Sequence, residues 1–144
     1  MNEFLSGLLL DPDHWAQMET DVRSKAPEEA CGFVAGKENR AMLVIPVTNS
    51  LHSRVRFRME PMEQLAAFTL VEEQQLDILA VYHSHPDGKN RPSRTDYDEL
   101  TFPGIIYLVW FQERERWNCK GYLMVSNEEA EEVPLLLCES FDKS

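Results

Sequence analysis

The chain has 144 residues, 25 acidic and 14 basic, for a net charge of −11. One domain spanning 1–144 is expected at that length, able to bury roughly 68–70% of its unfolded surface; the acidic balance repels nucleic-acid phosphates and anionic membranes and argues against both as partners. Cys31, Cys119 and Cys138 are odd in number and form no Cys-x-x-Cys pair, which argues against a disulfide framework or a thiolate zinc knuckle and fits a reducing cytoplasm.

Residues 1–10 contain Phe4, Leu5, Leu8, Leu9 and Leu10 with an acidic Glu3 and no basic leader, so they read as a strand or early turn and not as a secretion signal. Asp11-Pro12 starts a helix, the aspartate capping it and the proline taking the first helical position. Trp15, Met18 and Val22 follow at helical spacing. Residues 31–36 and 42–47 are expected as strands paired around the turn 37–40, and 55–59 as a third. Pro61 opens a second helix, in which Met62, Leu65, Ala66, Thr69 and Leu70 fall at spacings of three and four and read as a core-facing stripe. Strands over 78–83, 105–111 and 117–125 follow, with an edge strand over 133–137, while the acidic run 128–132 reads as a solvated linker. His14 and His52 have no ligand-like spacing to other histidines and read as surface or loop residues. No apolar stretch nears the eighteen or so residues that span a membrane, so a soluble protein is expected. The alternation of strands and helices implies an α/β or α+β sandwich, a central mixed sheet flanked by helices.

The apolar strand 78–82 runs into His83-Ser84-His85-Pro86. Side chains two apart on a strand face the same way, so His83 and His85 project together from its end while Ser84 points to the other face. Residues 87–92 form a loop by composition, and Ser93-Arg94-Thr95-Asp96 opens a short helix whose first turn swings Asp96 back toward the histidines. Two imidazoles and a carboxylate make up the three protein ligands of a catalytic zinc site, which keeps a fourth position open for water. Each part also has a plainer reading when taken alone. Ser93 and Asp96 form a capping-box-like helix start, and two histidines at a strand end serve as ordinary hydrogen-bonding residues.

Taken together, His83-Ser84-His85-Pro86, the ten residues between His85 and Asp96, and Pro92-Ser93 ahead of that aspartate resemble the JAMM motif of MPN-domain metallopeptidases. Pro27-Glu28-Glu29-Ala30-Cys31-Gly32 is similar to the family's upstream Pro-x-Glu-x-small-Gly segment, with Glu29 at the glutamate position and Glu28 beside it as a second candidate carboxylate. The resemblance runs from the first helix through the strand at 105–111. It implies a short stand-alone protein of bacterial type with an MPN-like, cytidine-deaminase-like fold. It also implies Zn2+ held by His83, His85 and Asp96, Glu29 as the general base toward a zinc-activated water, and Ser93 as hydrogen-bond donor to the developing oxyanion. The zinc site is expected at one edge of the sheet.

Short relatives of this type imply a cytoplasmic peptidase or isopeptidase that cuts next to the C-terminal Gly-Gly tail of a ubiquitin-like sulfur-carrier protein. A deubiquitinase-like isopeptidase and a non-catalytic MPN scaffold are the alternatives. A base deaminase, which also uses zinc-activated water, needs His-x-Glu and Pro-Cys-x-x-Cys, and this chain has neither.

Overall fold

Eight strands and three helices are present among the described residues, which in this computed structural model are 7–99, 102, 104–126 and 128–138. In chain order they are β1 (Leu8–Leu10), α1 (Pro12–Lys25), β2 (Cys31–Lys37), β3 (Arg40–Val47), α2 (Pro61–Glu73), β4 (Asp77–His85), α3 (Arg94–Asp98), β5 (Ile106–Glu113), β6 (Arg116–Met124), β7 (Ala130–Val133) and β8 (Leu135–Leu137). All the strands lie in one mixed sheet, in the order β7-β6-β5-β4-β2-β3-β1-β8.

β7 and β8 are separated only by Pro134, yet they occupy opposite ends of that order. A flat sheet of this size would set its ends about 34 Å apart, whereas one intervening residue spans about 7 Å. The sheet must therefore curl until its ends meet. The meeting is direct: a Cβ on Gly121 of β6 would stand 2.9 Å from the Leu135 side chain of β8, and Leu8 N–H donates to the Pro134 carbonyl at 2.9 Å.

On one face of the sheet, Met18 and Val22 of α1 pack with Leu8, Leu10, Tyr82, Leu108 and Trp110. On the other, Ala67 of α2 packs with Phe33, Val47, Val81 and Tyr107. β4 lies between the helices and is buried from Leu79 to His85, which is why its sequence is a continuous apolar run and not an alternating one. Cys31, Cys119 and Cys138 are all free thiols. No helix among the described residues is long and apolar enough to cross a membrane.

Several segments depart from the sequence-based expectation. Residues 55–59 form no strand; one isolated bridge, Asn49 to Met59, is present, because the Asn49 amide takes the Arg56 carbonyl and the Arg58 N–H that a neighbouring strand would have bonded. The run 128–132 is not a free linker: Ala130 to Glu132 belong to β7, paired with β6, and glutamates on an outermost strand discourage pairing with other chains. Residues 133–137 divide into the end of β7 and all of β8, since Pro134 has no N–H to continue a ladder. The α2 stripe faces outward, with Met62 69% and Leu65 57% exposed, and Ala67 and Val71 are buried in its place. Leu65-Ala66-Ala67-Phe68 are apolar in succession, so spacing alone selects no face, and the small Ala67 admits the closest approach to the sheet. His14 is not a loop residue but the third helical position of α1, where its Nδ1 accepts from Asp11 N–H at 3.2 Å and completes a capping box. His52 is exposed in a loop, as expected.

Candidate metal centre

β4 is fourth in the strand order, so its histidines stand at the carboxyl end of a central strand and not at a sheet edge as expected. Loops leave parallel strands at that end, and here the loop from β4 toward β5 carries α3 back over it. Val81, His83 and His85 share the α2 face by alternation. Ser84 points the other way, and its hydroxyl accepts from Ala30 N–H at 2.8 Å, pinning the residue after Glu29 to the strand that carries the histidines.

His83 and His85 are buried, and their Nε2 atoms lie 3.0 Å apart. Asp96 Oδ2 is 3.0 Å from the first and 3.1 Å from the second. Those three contacts cannot all be hydrogen bonds, because neutral imidazoles have too few protons to place one in each and a carboxylate has none to give. A cation at the common point satisfies all three atoms at once. The spacing suits one, since donors about 2.0–2.1 Å from a tetrahedral zinc lie roughly 3.3 Å apart, and two nitrogens with one oxygen are a set zinc accepts. His85 Nδ1 lies 3.0 Å from the Lys89 carbonyl; donating there fixes the tautomer that leaves the Nε2 lone pair for a metal. His83 Nδ1 is buried without a partner, and its ring is stacked on Phe57 at 4.9 Å and 24°.

Asp96 sits in a helix cap and against the two histidines at once. Ser93 caps α3, its Oγ accepting from Asp96 N–H at 3.1 Å while Asp96 Oδ2 accepts from Ser93 N–H at 2.8 Å. That same Oδ2 faces the histidines. The cap uses only a lone pair of the Ser93 hydroxyl and leaves its proton available for donation. Burial pushes the Asp96 carboxyl up, but the neighbouring His83 and His85 and the Ser93 N–H outweigh it and hold the group well below the usual carboxylate range. For His85 burial acts downward, and Asp96 reverses it to a net rise.

Glu29 is 3% exposed, and its Oε1 is buried with no hydrogen-bond partner. A carboxylate oxygen of Glu29 and nitrogens of His83 and His85 all lie within 4.8 Å of one another. Burial pushes its pKa up to about 8, against a lowering by His85 and further rises from Asp96 and Asp87. Glu28 does not reach the site: it is half-buried and meets His52 Nδ1 at 3.2 Å. Gly32 explains the small residue three positions on, since a Cβ there would stand 2.4 Å from the Tyr82 ring and 2.5 Å from the Ile45 carbonyl. Cys31 pairs in register with His83, but burial pushes its thiol up to about 12, so it stays protonated and is a poor ligand.

Beside Asp96 opens a cleft of about 520 Å3, with Phe57, Met59, Gln64, Thr95, Phe102 and Tyr107 among its walls. An ion pair between Arg56 and Glu99 ties the 53–59 segment to the residue that closes α3. Sequence reasoning missed this segment, and with it Phe57, because its alternating pattern imitates a strand. Lys89 contributes a backbone carbonyl, for which side-chain chemistry leaves no signal.

The family of prokaryotic homologs of the JAB domain matches residues 11–120, a span that includes Glu29, His83, His85, Ser93 and Asp96. The chain belongs to the prokaryotic JAB family. This JAB chain is 29% identical over 136 residues to a desampylase of Pyrococcus furiosus, covering 94% of the chain and 95% of that protein. It is 32% identical over 137 residues to the CysO-cysteine peptidase of Mycobacterium tuberculosis, covering 93% of each. Among solved structures, a protein from Desulfitobacterium hafniense matches it with a TM-score of 0.83 at 28% identity, over 94% of this chain and 95% of that one. A JAB1/MPN domain protein from Archaeoglobus fulgidus matches with a TM-score of 0.57 at 18% identity, over 92% and 99%. The second likeness shows the fold, a mixed α+β domain around a central mixed sheet, in agreement with the architecture the motif implied.

Proposed function

We propose that this JAB protein is a zinc metallopeptidase that hydrolyses the peptide or isopeptide bond next to the C-terminal Gly-Gly tail of a ubiquitin-like sulfur-carrier protein. The observation that carries the reading is the convergence of His83, His85 and Asp96 on one point with the buried Glu29 carboxyl, its Oε1 unpartnered, beside the histidines. Relatives named desampylase and CysO-cysteine peptidase, matched over more than nine-tenths of the chain, support the substrate class.

His83, His85 and Asp96 would hold the ion, which when bound would polarise an oxygen and lower the pKa of a water to about 7. Glu29 lies within 4.8 Å of His83 and His85 and makes no hydrogen bond to either, which supports a base beside the ion. Its carboxyl titrates at about 8 without the ion, and a cation alongside favours the carboxylate, so both protonation states are within reach near neutral pH. Glu29 takes a proton from water and later delivers it to the leaving amine. Ser93 directs its free hydroxyl proton to the oxygen on which charge develops as the carbonyl is attacked. The cleft beside Asp96 receives the extended tail, where glycines, lacking side chains, permit close approach of backbone to the site. The free thiols suit a reducing, cytoplasmic setting.

The test is direct. Zinc-loaded protein is incubated with carrier proteins ending in Gly-Gly plus one added residue, and the trimmed tail is read by mass spectrometry. Cleavage that Glu29→Gln and Asp96→Asn both abolish is expected; no cleavage, or cleavage indifferent to both substitutions, sinks the proposal. A ubiquitin dimer in parallel separates carrier processing from deubiquitination, and absence of stoichiometric zinc after native purification would instead favour a scaffold.

A further inference from the structure

We infer that Asn49 is a positioning residue of the metal centre, acting through Phe57 on His83. The inference rests on the metallopeptidase reading, because it concerns how a zinc ligand is held. The two histidines are oriented by different means. His85 has a carbonyl acceptor at its far nitrogen, whereas the far nitrogen of His83 is buried with none. A ligating imidazole usually donates there, and that bond sets its ring. The His83 ring has two close ring contacts among the described residues, the edge-on ring of His85 at 73° and 4.7 Å between centroids and the face of Phe57, near parallel at 24° and 4.9 Å; His85 is itself one of the converging groups, so Phe57 is the contact that sets the ring from outside them.

Phe57 belongs to no helix or strand, so its own position needs a cause. Asn49, which is 3% exposed, supplies it. Its Oδ1 accepts from Leu51 N–H and Arg58 N–H, both at 3.1 Å, and its Nδ2 donates to the Arg56 carbonyl at 3.0 Å and the Glu29 carbonyl at 3.1 Å. An amide side chain has two donors and two acceptor sites, and all four are used. Two of these bonds grip the residues on either side of Phe57, and a third grips the backbone of Glu29. One buried carboxamide thereby fixes the ring that orients a ligand relative to the residue assigned as base.

Zinc release tests this with the metal alone. Full-length protein is loaded with zinc, challenged with excess chromogenic chelator, and the release rate is followed for Phe57→Leu, Phe57→Tyr, Asn49→Asp and Leu123→Ala. Asn49→Asp keeps both acceptor bonds and loses both donors. Leu123→Ala removes packing from the opposite face and controls for lost stability. Phe57→Leu and Asn49→Asp are expected to release zinc about 10-fold faster or more, while Phe57→Tyr, which keeps the ring face, and Leu123→Ala release it at the unsubstituted rate. Unchanged release from Phe57→Leu, or equal acceleration in Leu123→Ala, overturns the inference. If Asn49→Asp does not fold, the histidine-bearing site is still tested by Phe57→Leu against Phe57→Tyr, and Asn49→Ser, smaller and able to donate one bond, replaces it; normal zinc release there overturns the role of Asn49. A protein that retains no zinc before any substitution removes the metallopeptidase reading as well, whereas confirmed carrier cleavage with unaltered release removes only this inference.

Discussion

The two faces of the sheet are finished to different degrees. On the α1 face the buried Asp21 is met on both oxygens, by the Tyr82 hydroxyl at 2.7 Å and the Lys25 ammonium at 2.8 Å, and the unpartnered side-chain atom found there among the described residues, Trp110 Nε1, is neutral. On the α2 face an acid oxygen and an imidazole nitrogen are buried without partners, three would-be ligand atoms crowd one point, and methionine and leucine side chains lie in solvent. Unpaired buried polar groups are costly. The contrast teaches that buried charge is matched within the fold on one face, whereas the other leaves a buried acid oxygen and an imidazole nitrogen unmatched at the candidate site.

The largest expected effects break the unfinished face. Glu29→Gln should lower cleavage of a Gly-Gly-terminated carrier by about 10²-fold to 10⁴-fold, the usual range for a lost general base, and Asp96→Asn, which removes a proposed metal ligand, should abolish it, with far-ultraviolet circular dichroism unchanged in both. In the metal-free protein the same Glu29→Gln should raise stability at pH 8. The sign follows from a folded pKa of about 8 against an ordinary 4.5: this group's contribution is present in full below 4.5 and is lost as pH rises through 8, and His85, held above its ordinary value, pulls the same way above 6.5. At 1.36 kcal/mol per unit, a few kcal/mol separate the two proteins at pH 8 and almost none near pH 4.5. Urea melts at the two pH values measure it, and an equal gap at both would contradict the burial argument.

Asp21→Ala sharpens the other side of the comparison. It strands the Tyr82 hydroxyl and should remove about 1–3 kcal/mol of stability while leaving cleavage per folded molecule intact; loss of activity without loss of stability would show that the faces are not separable. The smallest effect belongs to Met62→Ser and Leu65→Ser together, which should move stability by less than about 0.5 kcal/mol. A larger fall in the thermal midpoint would mean that the outer side of α2 is covered in solution.

The site was legible in the sequence where chemistry is tied to local spacing. His83 and His85 share a strand face, and Asp96 sits one loop away at a helix start, so period and capping placed all three. Ser93 and Asp96 form the plain helix cap and face the histidines as well, so the two readings were never exclusive. What spacing could not convey was anything set by distant partners. Met62 and Leu65 face solvent because tertiary packing chose Ala67, residues 55–59 lost their strand to one asparagine side chain, and residues 130–132 of the acidic run were drawn into the sheet by β6. The central place of the histidines depends on strand order, which no local pattern encodes.

Pro134 has a bearing on how the molecule is made. Because β8 lies against β1 at the far end of the sheet from β7, a nascent chain on the ribosome can assemble strands from β1 onward but keeps the backbone of β1 bare on one side until residues 135–137 emerge. Displacing residues 135–137 would reopen that same side and add a bare strand edge able to pair with neighbouring molecules.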